Sequence, residues 1–370
     1  MSALAPPPAP LPARHPREIL LVPRRRPVVQ VPPRVLPPPP PASRTRFPMP
    51  PVAARELTPP PPATATRPAV SVLTTVRNGK RHLMEAAASV LGQRGLTLEY
   101  VLVDDGSTDA TPALLASLAA ADPRVRLLRF DENVGISHAA NAGIAACRGR
   151  RIARMDADDV MAPDRLVRQL RFFERSRAAA AGSMVDFIDA RGRRLHSVHN
   201  PTDHAAIEDG LLRGHCTLWH TSSMIDAAAL RRVGGYNPGY ASAVDVELWL
   251  RLAEIGRLAN QQEVLQRYRF YGGSVSGQRR IEQAALCEKA SRDAATRRGI
   301  ASRWEGKPPW READDRDARR RGRLKCGWWA LGAGEHATAA WYAKRCLASK
   351  PYDVAALKLL RAAMTARRKR

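Results

Sequence analysis

Three carboxylates, Asp156, Asp158 and Asp159, stand together in the stretch RIARMDADDVMAPDRL (151–166), in a chain of 370 residues whose formal net charge is +25. Asp156 and Asp158 are two residues apart, so in extended geometry both side chains point to the same side, and the small Ala157 leaves room between them. Ionised carboxylates held this close repel one another unless a cation sits among them. Hard divalent ions such as Mg2+ and Mn2+ prefer oxygen ligands, often one or two carboxylates with the other positions filled by water and phosphate oxygens. The spacing therefore points to a metal and diphosphate site. A plainer reading of the same residues makes Asp159 or Asp164 the cap of a helix beginning near Pro163, with the others solvated.

The elements that must position these carboxylates alternate between strand and helix, the pattern of an α/β fold with a largely parallel sheet covered by helices. AVSVLTTV (69–76) reads as a buried strand rich in β-branched residues, and GKRHLMEAAASVLGQ (79–93) as a helix with Leu83, Ala87, Val90 and Leu91 on one face. LEYVLV (98–103) is a second strand. DDGSTD then leads into a helix over about 110–121, with Ser107 or Thr108 as N-cap and Pro112 in its first turn. VRLLRF (125–130) is a third strand, ISHAANAGIAAC (136–147) a helix of small residues able to lie close on the sheet, and RIARM (151–155) a fourth strand. Ligands of open α/β sheets bind beyond the carboxyl ends of the strands. Thr74 and Thr75, Asp104 and Asp105, and Asp156 to Asp159 all fall at such ends, so three polar clusters converge on one crevice.

Six segments in order, VSVLTTVRNG, VLVDDGSTDAT, ENVGISHAANAGI, ARMDADDVMAPDRL, VGGYNPGY and DVELWLRLAEIG, resemble the successive motifs of the inverting family 2 glycosyltransferases of GT-A fold. The resemblance runs over about residues 69–276. It implies a Rossmann-like sheet flanked by helices and transfer of a sugar from a nucleotide-diphosphate donor, usually a UDP-sugar. By matching position, Thr75 contacts the nucleotide, Asp105 accepts the imide N–H of the base with Asp104 nearby, and Asp156 and Asp158 bridge ribose and a Mn2+ or Mg2+ ion to the diphosphate. An ionised Asp suits the base contact because it only accepts. Asp104 to Asp109 also read simply as a turn and helix cap.

An inverting transfer needs a base on the far face of the sugar to take the acceptor hydroxyl's proton. The resemblance places it at Asp245 in AVDVELWLRL (243–252), where Val244 stands in place of the family's common Glu; Asp245 also reads as an N-cap for the helix carrying Leu248, Trp249 and Leu252. WHTSSM (219–224) puts His220 on the acceptor side, or makes it a structural histidine. In YRFYGGSVS (268–276), Tyr271 takes the place of a family His, leaving Arg269 or Ser274 as candidate phosphate contacts. The transmembrane helices and Gln-x-x-Arg-Trp motif of processive synthases are missing, so transfer of one sugar per encounter to a glycan or lipid-linked acceptor is expected. VDFIDARGRRL (185–195) reads as a hairpin turning at Asp-Ala-Arg-Gly and flanking the acceptor cleft.

Composition divides the chain. Residues 1–68 hold most of the prolines and ten arginines against Glu18 and Glu56; a segment so poor in apolar residues is expected to be disordered, with polyproline character. Residues 69–300 form the expected catalytic domain. Residues 301–370 form a basic helical extension in which 325–360 gives two helical patterns resembling one tetratricopeptide-like pair, with Trp328, Trp329 and Trp341 in its core. Because the positive excess lies mostly in these terminal segments, a nucleic-acid binder with a basic stripe on a folded face is not expected. Peripheral contact of the basic tails with anionic lipid fits the charge better. Five scattered cysteines without a CxxC pair suit a reducing compartment. With no run of 18 apolar residues and no secretory leader pattern, the expectation is a cytoplasmic protein. A second class, a catalytically weak sugar-nucleotide binder, is raised by Val244 and Tyr271.

Overall fold

The computed structural model describes residues 53–59, 66–271, 280–306 and 316–367. The expected disorder of residues 1–68 falls largely outside them, as do Ser274 and the glycines beside it. The elements are β1 (Arg55–Glu56), β2 (Val70–Val76), α1 (Leu83–Leu91), β3 (Leu98–Asp105), α2 (Thr111–Ala121), β4 (Val125–Phe130), α3 (Ile136–Ala146), β5 (Arg151–Arg154), β6 (Val160–Met161), α4 (Arg165–Ser176), β7 (Ala180–Ile188), β8 (Arg194–Val198), α5 (His204–Leu212), a 3-10 turn (His220–Ser222), β9 (Met224–Asp226), α6 (Ala227–Arg232), α7 (Val244–Ala253), β10 (Leu258–Arg269), α8 (Arg280–Arg297), α9 (Arg316–Gly332), α10 (His336–Ser349) and α11 (Val354–Arg367).

The strands make one mixed sheet in the order β1-β4-β3-β2-β5-β9-β7-β10-β6, with β8 paired to β7. The β4-β3-β2-β5 half is parallel, as is β7 with β10, while β9 runs antiparallel between β5 and β7. Parallel strands covered on both faces read as continuous apolar runs. In β2, Val70 and Val72 enter one core and Leu73 the other; in β3, Tyr100 and Leu102 alternate with Val101 and Val103 in the same way. The small-residue helix α3 does lie close on this sheet: a Cβ on Gly143 would stand 2.3 Å from Leu73 Cδ1.

Three differences from the sequence expectations matter most. Helix α1 begins at Leu83, four residues after Gly79. Helix α2 is capped by neither Ser107 nor Thr108; its N-cap is Ala110. Ser107 Oγ instead accepts from Asn78 N at 2.9 Å, and Asn78 Oδ1 accepts from Thr108 N at 2.8 Å, so the polar turn is spent on tying two loops together. At the C-terminus there are three helices, α9, α10 and α11, because the charged run 316–324 is helical too. They share a core with Val185, Phe187 and Leu195 of the β7-β8 hairpin, while Trp328 is 44% exposed. The hairpin turns at Asp189-Ala190-Arg191-Gly192 as expected, with Gly192 at φ 77° and Asp189 accepting from Arg191 N and Arg193 N. No helix among the described residues is long and apolar enough to cross a membrane.

Candidate active site at the carboxyl ends of the strands

The parallel register puts Thr75 beside Val103 and Asp104 beside Val76, so the ends of β2 and β3 open at one level with the turn after β5. Gly106 begins the loop beyond β3 at φ 65°, where a Cβ would lie 2.4 Å from the carbonyl carbon of Glu132; only glycine fits. Asp105 reaches across to that loop: Val134 N and Asn133 Nδ2 donate to its two oxygens at 2.8 and 2.7 Å. Burial raises its pKa against those donors. Asp104 accepts from Ser107 N at 3.0 Å through Oδ1, while its buried Oδ2 has no hydrogen-bond partner and lies 3.6 Å from Arg129 Nε. Of the pair, Asp104 therefore keeps the less committed oxygen.

Beyond β5, Asp156 and Asp158 are half-buried and Asp159 is fully buried. Burial, opposed by Arg154 and reinforced by Asp158 and Asp245, raises the Asp156 pKa to about 6. Burial and the neighbouring Asp158 and Asp156 carboxylates raise Asp159 well above the usual range. Asp159 is pinned by Arg269 N, which donates to Oδ1 at 2.7 Å. It is not a helix cap, and Asp164, although at the N-cap of α4, makes no capping bond and pairs with Arg168. Tyr271 hydrogen-bonds the Asp158 carboxylate; burial and that carboxylate push its phenol up to about 12. Arg269 is buried with its guanidinium fully engaged: Nε donates to Asp158 O at 2.6 Å, Nη1 to Asp189 O at 3.2 Å, and Nη2 to Glu85 Oε2 at 2.6 Å. It holds the loop of carboxylates in shape.

Two buried guanidiniums lie beneath the loop. Arg165 donates to Thr221 O at 2.8 Å and Gln266 Oε1 at 2.6 Å, and burial lowers its pKa to about 9. Arg154, with no exposed side-chain surface, stands 3.4 Å from Thr75 Oγ1 and 3.9 Å from Asp156 Oδ1, and its Nε and Nη1 have no hydrogen-bond partner. A lone Arg in a strand gives no sequence signal of this role, and it was not expected.

Asp245 lies in the first turn of α7, entered through Ala243 at φ 54°. A left-handed alanine costs roughly 1–2 kcal/mol, strain of a kind often stored at functional sites. Burial raises the Asp245 pKa, partly offset by the main-chain N–H groups of Val246 and Asp245 itself. Asp245 and Asp156 are close enough to act on each other electrostatically. His220 shares a 2.6 Å hydrogen bond between Nε2 and the Tyr236 hydroxyl, and its Nδ1 is 3.8 Å from Asp156 Oδ1. Burial, aided by Arg154, holds His220 well below the usual imidazole range and therefore neutral at pH 7. Tyr236 is clamped at its own N and O by Asn141 of α3, both at 2.8 Å. Thr75 and Asp156 thus flank Arg154, His220 stands beside Asp156, and Asp158 and Asp245 both act on the Asp156 carboxylate, whereas Asp105 and Arg269 are held by neighbouring loops.

Among the described residues no three His, Cys, Asp or Glu side chains form a set that could hold a metal ion unaided. The donor set nevertheless fits a divalent ion sharing its coordination with a diphosphate, since Asp156 and Asp158 offer only hard oxygens and the crowded carboxylates favour a cation.

The family profile described as Glycosyl transferase family 2 matches residues 71–236. The succinoglycan biosynthesis protein ExoO of Rhizobium meliloti (strain 1021) is 48% identical over 122 residues, 33% of this chain and 34% of ExoO. EpsE of Bacillus subtilis (strain 168), which carries a glycosyltransferase name, is 33% identical over 211 residues, 55% of this chain and 73% of EpsE. The chain thus spans only about a third of ExoO but nearly three quarters of EpsE. Among solved structures, the mannosyltransferase PcManGT from Pyrobaculum calidifontis superposes with a TM-score of 0.50 at 21% identity, covering 84% of this chain and 89% of that one, a likeness of fold. With its sheet order, its carboxylates at the strand ends and these relatives, the chain belongs to glycosyl transferase family 2 and is a glycosyltransferase.

Proposed function

We propose that the protein moves a single sugar, with inversion, from a nucleotide-diphosphate sugar, most simply a UDP-sugar, to a hydroxyl of a glycan or lipid-linked acceptor. The observation that supports this reading most is that both Asp158 and Asp245 raise the pKa of the Asp156 carboxylate, so the diphosphate-side pair and the candidate base share one electrostatic neighbourhood. Thr75, Asp104 and Asp105 border the nucleoside position; Asp156 serves ribose and metal, and Asp158 the metal. A bound Mn2+ or Mg2+ would supply Lewis-acid neutralisation of the diphosphate. PcManGT is described in complex with GDP-Man and Mn2+, which supports that class of donor and ion.

Asp245 accepts the proton of the acceptor hydroxyl as its oxygen bonds the anomeric carbon and the bond from that carbon to the diphosphate oxygen breaks. A raised carboxylate pKa, closer to working pH, makes it a better base than a surface Asp. Neutral His220 and Tyr236 fix the wall beside Asp156. The competing reading, a binder with little turnover, draws on the Tyr271 hydroxyl already resting on Asp158.

Incubation of the chain with a panel of UDP-sugars and GDP-mannose, glycan acceptors and Mn2+ separates the two readings. Release of nucleoside diphosphate with formation of a product of inverted anomeric configuration is expected. Affinity without release supports the binder, and a product of retained configuration contradicts the role given to Asp245.

A further inference from the structure

Exposed apolar surface is concentrated in one part of the molecule. Nine large apolar side chains are strongly exposed among the described residues, and five of them, Trp328, Tyr352, Val354, Leu357 and Met364, belong to the C-terminal helices and their connections. Four of the five lie on α11 or in the turn leading into it, with Tyr352 at 88% and Val354 at 62% exposure.

Helical spacing explains the arrangement. Ala356, Leu359 and Ala363 are buried against α9 and α10, so Val354, Leu357, Arg361 and Met364, at intervals of three, four and three, fall on the opposite side. Lys358 and Thr365 are exposed along the same outer face. That face is therefore amphipathic in an unusual sense: its aliphatic side chains are interleaved with cations and turned away from the protein's own core.

The surrounding charge is one-sided. Residues 316–367 hold twelve Lys and Arg against Asp317, Glu335 and Asp353. Of these acids, Asp353 is buried and bonded to Arg320 at 2.5 Å, Glu335 is paired with Arg194 at 3.4 Å, and Asp317 faces Arg320 at 3.4 Å. Neither α10 nor α11 contains an acidic residue.

We propose that the outer face of α11 docks the protein on an anionic membrane surface, with Tyr352, Val354, Leu357 and Met364 entering the boundary of headgroups and acyl chains while Lys350, Lys358 and Arg361 meet lipid phosphates. A nucleic acid would engage the cations and leave the aliphatic side chains without a partner. A strongly acidic protein segment would likewise meet only the cations, in the open depression lined by Lys358, Arg361 and Thr365. A lipid interface takes both components at once: apolar side chains sink into it, and each Lys or Arg near an anionic surface adds to the attraction. The attachment does not depend on the donor-site reading.

The test is co-sedimentation of the full chain with vesicles of phosphatidylcholine alone and of phosphatidylcholine mixed with phosphatidylglycerol, for the wild type and two double variants, Leu357→Glu/Met364→Glu and Lys358→Glu/Arg361→Glu. All four positions face outward, so UDP binding and thermal midpoint should match the wild type and report that each variant is folded. Binding to the mixed vesicles, weakened about tenfold or more in each variant and weak on phosphatidylcholine alone, is the expected result. Equal vesicle binding by wild type and variants would overturn the proposal and move the contact to another basic segment. So would self-association abolished by the Leu357→Glu/Met364→Glu change, which assigns the face to a second copy of this chain. Nucleic-acid binding lost only in the Lys358→Glu/Arg361→Glu variant, without vesicle binding, would overturn it as well.

Discussion

Arg269 donates from Nε to the main-chain oxygen of Asp158 at 2.6 Å, so the end of β10 fixes the backbone on which the candidate metal ligand stands. The same guanidinium reaches Asp189 O at 3.2 Å, and Asp189 Oδ2 accepts from Tyr342 Oη of α10 at 3.0 Å. A continuous series of hydrogen bonds thereby joins the C-terminal helices to the carboxylate loop. Removing one hydroxyl from it, Tyr342→Phe, should cost about 1 kcal/mol of stability and weaken metal-dependent UDP binding several-fold, as read by melting and by titration calorimetry. Lost stability with unchanged UDP affinity would mean that the helices only brace the hairpin.

Arg154 should separate stability from binding. A buried guanidinium with two unpartnered nitrogens is costly to keep, but removing one member of a buried charge pair leaves the other uncompensated. Arg154→Met is expected to lower the thermal midpoint modestly while the chain stays folded, and to weaken donor binding more strongly, because Thr75 and Asp156 lose the cation set between them. A variant that unfolds, or one that binds UDP normally, contradicts this view.

Asp245→Asn keeps the side chain's size and removes the base. General-base catalysis is typically worth about 10²–10⁴-fold, so kcat should fall by about 10² or more, with KM for the donor changed little. Initial rates of nucleotide release at saturating donor decide it; a loss confined to KM would reassign Asp245 to donor binding.

Glu99 should set part of the acid limit of stability. Burial raises its pKa, but Ser71 Oγ at 2.5 Å and Arg148 N at 2.6 Å outweigh burial, so the net shift is downward. A carboxylate whose folded pKa lies below its unfolded value stabilises fully above the unfolded pKa, and this contribution is lost as pH falls through the folded one. Glu99→Gln should cost about 2–4 kcal/mol at neutral pH, since it leaves buried donors poorly matched. The difference from wild type should shrink in denaturant melts as pH falls below the usual glutamate range.

The parallel half of the sheet was legible because strands buried on both faces must be apolar throughout, as β2 and β3 are. The position of the carboxylate loop followed from its place at a strand end. What stayed hidden depends on three-dimensional partners. Arg154 reads as any polar residue in a strand, and nothing near it in sequence announces Thr75 or Tyr236. Ser107 looked like a cap because local spacing cannot show that Asn78, a distant neighbour, takes its oxygen. Arg269 looked like a phosphate contact until its partners were seen to be carbonyls and Glu85. The helical run 316–324 was obscured by its density of arginines, most of which are exposed on the helix.

The most direct measurement is titration calorimetry of UDP into the full chain with Mn2+ and with a chelator, for the wild type and Asp158→Ala. The account predicts binding that requires Mn2+ and is lost in the variant, with the variant's melting midpoint close to that of the wild type. UDP binding unchanged by both chelator and Asp158→Ala, or no binding by the wild type with Mn2+, would contradict the donor site described for Asp156 and Asp158.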